Sequence, residues 1–219
     1  MAEVICVLKK FLAGVFVLLM ICAQASAMRL ELFPQPIGKI FFTDGKFSVE
    51  GASKLSKHRA MFGDKIYPRT EADQKRYGTS GGDKFYGEKI FFHFDAAKNL
   101  SRFGDRDKKN SVPVDTFHGE TEIFIVNNSA GRNLFLLRQE SGTGDAIKVL
   151  GLRGGKWIEQ LDVPTLRAKY DIGRNFSTEK FFTEENRIIF RYRLQERVVD
   201  LICRWHAVNE KFYTEAIER

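Results

Sequence analysis

Short apolar runs broken by turn residues dominate the pattern of this chain. Between residues 121 and 163, apolar segments at 123–126, 134–137, 147–150 and 157–161 alternate with the turn clusters NNSAG, ESGTGD and LRGG. Segments of this length, rich in Ile, Val, Leu and Phe and bounded by Gly, Asn and Asp, predict consecutive strands joined by tight turns, a meander. A second block, 187–206, alternates with period two. Ile188, Phe190, Tyr192 and Leu194 share one face, and Arg187, Arg191 and Arg193 share the other. A reversal at Gln195 and Glu196 leads into Val199, Leu201, Cys203 and Trp205, opposite Asp200 and Arg204. Ile188, Phe190, Tyr192, Leu194, Leu201, Cys203 and Trp205 are therefore the expected core of this hairpin, because a one-residue slip would expose them all. Residues 211–217 extend it by a last strand.

The same reading organises the first half. Residues 37–50, IGKIFFTDGKFSVE, form a hairpin around Asp44-Gly45, a dipeptide that accepts the positive φ angles of a type I′ turn. KIFFHFD at 89–95 is a strand. Its KIFF echoes 39–42, and EKFF recurs at 179–182, but four-residue matches at unequal spacing reflect shared strand composition and no repeat array. Residues 99–110 read as a charged hairpin tip. Asp105, Asp107 and Asn110 resemble a calcium loop only superficially, because the Gly and Glu that such a loop needs are missing. Residues 112–118 and 121–127 lead into the meander. PTLRAKY at 164–170 predicts one short helix, with Pro in a first-turn position. The expected fold class is mainly β: an antiparallel meander in a sandwich-like or barrel-like sheet, with at most one or two short helices.

Residues 52–87 break this pattern. Seven Lys or Arg (54, 57, 59, 65, 69, 75, 76) face three acids (64, 71, 73), with Tyr67, Tyr77 and Tyr86 interleaved. The expectation is a polar excursion from the sheet, with a helical turn at 71–77. It is either a solvated loop or an anion-binding surface formed by Lys54, Lys57, Arg59, Lys75 and Arg76.

The first 27 residues read as a signal peptide. Lys9 and Lys10 precede an uncharged run from Phe11 that ends in Ala25-Ser26-Ala27, which predicts cleavage before Met28. A retained span needs about 20 apolar residues, and Gln24 and Ser26 shorten this run. Acylation at Cys22 is disfavoured by the bulky Met20 and Ile21 before it. A buried helix would show a polar face, which this run lacks. Losing Glu3, Lys9 and Lys10 changes the net charge from +7 to +6, and losing Cys6 and Cys22 leaves Cys203 alone. Without a disulfide, the expected single β-rich domain, 28–219, must be held by its core. It keeps all but Phe11 and Phe16 of the 20 Phe residues.

Candidate chemistry is sparse. No glycine-rich stretch follows a strand and opens a helix, and no serine sits in a nucleophile elbow. Cys203 and His206, three apart on a strand, point to opposite faces. His93-Phe94-Asp95 and His118-Gly119-Glu120 each place an imidazole and a carboxylate on one face, so His93, Asp95, His118 and Glu120 form the one set that could serve a metal-assisted envelope hydrolase. Asn99, Asn127 and Asn175 open N-glycosylation triplets. The leading expectation is a non-enzymatic, exported binding or accessory module, periplasmic or extracellular, that uses no cofactor or metal. Its basic surface suits an anionic envelope polymer or glycan. Nucleic acid is not the expected partner despite pI 9.3, and a membrane is met only through an uncleaved leader.

Overall fold

The computed structural model describes residues 29–43, 46–63, 66–67, 85–86, 89–114, 119–129, 132–139 and 145–219. The chain begins with β1 (Leu30–Leu32), β2 (Gly38–Thr43), β3 (Lys46–Glu50), β4 (Ser53–Ser56) and β5 (Arg59–Phe62). A short pair, β6 (Ile66–Tyr67) and β7 (Phe85–Tyr86), precedes β8 (Ile90–Asp95), β9 (Leu100–Gly104) and β10 (Ser111–Val114). The meander follows as β11 (Glu120–Asn128), β12 (Leu134–Gln139), β13 (Ala146–Arg153) and β14 (Lys156–Asp162). Helix α1 (Val163–Lys169) then leads to β15 (Ser177–Glu184), β16 (Arg187–Leu194), β17 (Arg197–His206) and β18 (Lys211–Glu218).

Three antiparallel sheets stack as layers. The central sheet has the order β14-β13-β12-β11-β2-β3, with β1 also paired to β11. The second sheet runs β10-β9-β8-β5-β4 and the third β15-β16-β17-β18. The chain is mainly β and its sheets are antiparallel, as expected; none of them closes into a barrel, so the barrel-like alternative does not hold. The central sheet is covered on both faces. Ile123, Ile125, Phe135 and Leu137 pack towards the second sheet, whereas Phe124, Val126, Leu134 and Leu136 pack towards the third. Burial on both faces is why β11 and β12 are almost continuously apolar rather than alternating.

The layer between the central and second sheets is filled with phenylalanine: Phe33, Phe47, Phe62, Phe92, Phe94, Phe103 and Phe135 are all buried in it. Phe92 meets Phe47 edge-on at 4.9 Å between centroids and Phe103 at 5.2 Å, geometry that suits ring quadrupoles. Gly38 permits the close approach of the two sheets. A Cβ there would lie 2.6 Å from the Glu50 carbonyl and 2.8 Å from the Phe62 ring.

The layer between the central and third sheets contains the hairpin core expected from the 187–206 alternation. Ile188, Phe190, Tyr192, Leu201, Cys203 and Trp205 are buried, and Leu194 is partly so. This layer also holds polar groups. The Tyr192 hydroxyl and the Trp205 indole N–H are buried with no hydrogen-bond partner. The Arg167 guanidinium of α1 sits 4.5 Å over the Tyr192 ring and donates to the carbonyls of Gly173 and Phe176, at 2.7 and 2.9 Å. Burial pushes the Cys203 thiol up to about 12, so it remains protonated near neutrality and is not a nucleophile. His206 is exposed, on the opposite face from Cys203.

Several local expectations are corrected. The stretch 52–87 does not leave the sheet at its start: β4 and β5 lie within it, and Ala60 and Phe62 are fully buried. Apart from Gly63 and the short β6–β7 pair, the rest of the expected basic loop, including the helical turn at 71–77, lies outside the described residues, as do the leader and Asp44-Gly45. The charged tip at 99–110 is shorter than expected, because β9 buries Ser101 and Phe103. Its remaining turn is a clamp between layers. Asp105 accepts from the Trp157 indole N–H at 2.8 Å, and the Asn110 carboxamide oxygen accepts from the Trp157 backbone N–H on β14 at 3.1 Å. Asp200, assigned by parity to the outer face, is fully buried there. Arg191 and Arg219 each bond its carboxylate at 2.6 Å and cover it.

Helix α1 starts as its sequence requires. Asp162 caps it by accepting from Thr165 N–H, and Pro164 occupies the first turn. At its end the Tyr170 hydroxyl reaches β18, bonding the Thr214 carbonyl and lying 2.9 Å from the Thr214 Oγ1.

Candidate anion-binding face

Strand register assembles a basic row on the outer face of the second sheet. Ala60, Phe92 and Phe103 align across β5, β8 and β9 and point inward. The adjacent row, Arg59, His93 and Arg102, therefore points outward. Each side chain of that row is held differently. Arg59 lays its guanidinium 5.4 Å over the Phe91 ring, and its Nε is buried with no hydrogen-bond partner. Arg102 is fixed by Ser111, whose Oγ accepts from Nε at 2.9 Å and whose carbonyl accepts from Nη2 at 2.8 Å. His93 stacks near Phe91 and uses Nε2 to bond the Asp105 carbonyl at 3.0 Å, which makes Nε2 the donor.

The electrostatics of the row favour an anion over a metal. Burial lowers the pKa of His93 below the ordinary imidazole value; the Asp105 carbonyl opposes this, while Arg59, Lys108 and Arg102 reinforce it. A group surrounded by three cations is a poor partner for another cation. Asp95, the one carboxylate of the expected set on this face, is 3.5 Å from Lys108 and caps the Lys98 backbone N–H.

The sequence-derived residues are partly brought together and partly separated. Arg59 and His93, drawn from two different expectations, turn out to be cross-strand neighbours. Lys57 is exposed in the β4–β5 turn, two residues from Arg59. Lys54 takes another direction: its Nζ donates to the Phe47 carbonyl at 3.2 Å and lies 5.1 Å over that ring, closing the edge of the phenylalanine layer. Lys75 and Arg76 lie outside the described residues. So does His118. Glu120 sits on the face of the central sheet turned away from the second sheet, where Lys39 bridges it and Glu122 at 2.5 and 3.1 Å. His93 and Asp95 are thus separated from Glu120 by the phenylalanine layer and the central sheet itself, and stacked sheets lie about 10 Å apart. Among the described residues no three His, Cys, Asp or Glu side chains group to hold a metal ion.

Arg102 and Lys108 were not among the expected site residues. Arg102 lay in what read as a charged turn, and only the β8–β9 register reveals that it lies beside His93. The arrangement as a whole is a three-layer antiparallel β domain with a basic row on one outer face. In comparison with known proteins, no family model, no curated protein and no solved structure matches this chain. Among the described residues no helix is long and apolar enough to cross a membrane.

Proposed function

We propose that this chain is an exported, non-enzymatic binding module that holds an anionic polymer or glycan of the cell envelope or extracellular space on the outer face of its second sheet. The observation that carries this reading is the row Arg59–His93–Arg102, with Lys57 exposed in the turn before Arg59 and Lys108 close enough to His93 to act on it electrostatically. A guanidinium held by stacking on an aromatic ring offers its terminal N–H groups in a fixed plane to a carboxylate, sulfate or phosphate oxygen. Lys75 and Arg76 continue the same basic stretch in sequence and enter the proposal on that ground alone. Export is proposed from the leader pattern, with cleavage before Met28, and N-terminal sequencing of the exported protein tests it.

The binding test is retention on heparin resin across a salt gradient. Replacing Lys57 and Arg59 with Gln lowers the eluting salt concentration, and adding Lys75→Gln and Arg76→Gln lowers it further. Lys54→Gln shifts it least, because that ammonium is engaged with Phe47. Retention weakens as ionic strength passes about 0.1 M, where the screening length is about 10 Å. Unchanged elution of the Lys57/Arg59 variant would end the proposal.

A further inference from the structure

His93 is the one member of the basic row whose side-chain type changes charge between about pH 5 and 8. Strand register places it directly opposite Arg59 on β5 and Arg102 on β9. Opposed residues of antiparallel strands have Cβ atoms about 4.5–5.5 Å apart, so both basic side chains start beside the imidazole. The ring is 8% exposed, and its Nε2 donates to the Asp105 carbonyl at 3.0 Å. That bond leaves Nδ1 as the atom that gains or loses a proton.

The charges around Nδ1 are unbalanced. Arg59 comes from β5, Arg102 from β9 and Lys108 from the turn after β9. On its own strand, Phe91 stacks against the ring at 6.5 Å between centroids, and Asp95 pairs with Lys108 at 3.5 Å. The Asp105 carboxylate is turned to the Trp157 indole N–H and the Asn110 carboxamide. His58, in the turn before β5, is exposed and gives its backbone carbonyl to the Phe94 N–H. A proton at Nδ1 therefore adds a positive charge beside three others, and the nearby Asp95 carboxylate is already engaged by Lys108. Burial first, and then this repulsion, favour the neutral ring.

An anion on the row reverses the balance. Its charge offsets Arg59 and Arg102 and attracts an imidazolium directly. Linkage is reciprocal: a ligand that favours the proton is itself bound more tightly when the proton is present. We propose that the row takes up one proton at His93 together with its anion, so that binding tightens as pH falls. This rests on the anion-binding reading of the same face. The proton comes from solvent and returns to it when the anion leaves. Arg59, Arg102 and Lys57 keep their charge throughout this range, so they supply the attraction and His93 supplies its dependence on pH.

The test measures binding of fluorescently labelled heparin to the protein at constant ionic strength from pH 8 to 5.5. The sulfates and carboxylates of heparin stay ionised over that range, so the charge of the probe is constant. Affinity is expected to rise by about fivefold or more as pH falls, the lower end of coupling between linked sites, and by less than about twofold in His93→Gln. The other histidines, His58, His118 and His206, are common to both proteins, so the difference between the two slopes belongs to His93. In the unaltered protein the His93 ring resonances, followed by NMR, are expected to titrate at higher pH with saturating heparin than without it. Equal slopes in parent and variant, or a His93 titration that heparin does not move, would overturn the proposal. If replacing Lys57 and Arg59 with Gln still weakens heparin binding in that case, the row remains the binding face and only the proton linkage falls. If that variant binds as the parent does, the anion-binding reading falls and the linkage falls with it.

Discussion

The two layers on either side of the central sheet are built on different principles. The layer towards the second sheet is apolar and aromatic, with ring against ring. The layer towards the third sheet mixes apolar side chains with Tyr192, Cys203, Arg167 and an indole N–H. Rings without polar atoms impose no hydrogen-bond requirement, so the first layer gains its stability chiefly from area and shape, although it too buries two hydroxyls, Ser101 and Thr121, without partners. The second must either satisfy its polar atoms or bear the cost of leaving them unmatched. The same central sheet thus serves one layer dominated by ring packing and one that also takes a guanidinium, a phenol and an indole N–H inward.

Truncation gives the largest effects and sharpens the contrast. Phe92→Ala removes a ring that meets Phe42, Phe47 and Phe103. Phe190→Ala removes one paired with Phe181 at 6.4 Å. Each is expected to cost about 3–5 kcal/mol in denaturant unfolding, with Phe92 the costlier. A loss below about 1 kcal/mol for either would place that side chain at the surface, and a costlier Phe190 would reverse the contrast.

A smaller effect of opposite sign is expected from Tyr192→Phe. The hydroxyl is buried and unpartnered, so its removal relieves a desolvation cost while the ring stays under Arg167. Stability should be unchanged or rise by up to about 1 kcal/mol. A clear loss would mean that the hydroxyl is bonded in solution and that the second layer is better satisfied than its geometry shows.

The smallest expected effect lies outside both layers, at His93. Its folded pKa is lowered, chiefly by burial, so the native state favours neutral imidazole. The stability this contributes is complete above the unfolded value of about 6.5 and is lost as pH falls through that value towards the folded one. Melting temperature should therefore decline between about pH 7.5 and 5.5, and His93→Gln should flatten that decline. An identical slope in the variant would assign the decline to other groups.

How much of this could be read from sequence depended on whether a strand has a distinct apolar face. The 187–206 hairpin was legible because Ile188, Phe190 and Tyr192 alternate with arginines. The meander was legible from its turn clusters, and α1 from its proline. The second role of the meander was not read, although the unbroken runs IFIV and LFLL require cover on both faces. Strand β4 was illegible because Ser53–Ser56 is exposed along its whole length and carries no apolar face to detect. Strand β5 offers only Ala60 and Phe62 inward, within a stretch dominated by charge. The basic row required β5–β8 pairing across a long intervening segment, and no local pattern encodes that. Asp200 was assigned by parity to the face opposite the core, because the pattern of one strand does not reveal that two arginines, Arg191 on β16 and Arg219 just past β18, close over it.

The hydroxyl of Tyr170 on Thr214 and the carboxamide of Asn110 on Trp157 also bear on how copies of this chain behave when crowded. β18 and β14 end their sheets, and an end strand with free backbone groups is a template on which another chain can add and aggregate. Here a side chain from a neighbouring segment already occupies part of each margin. A strand approaching either margin must first displace that plug. The two contacts thus act as guards against edge-to-edge growth as well as struts between layers.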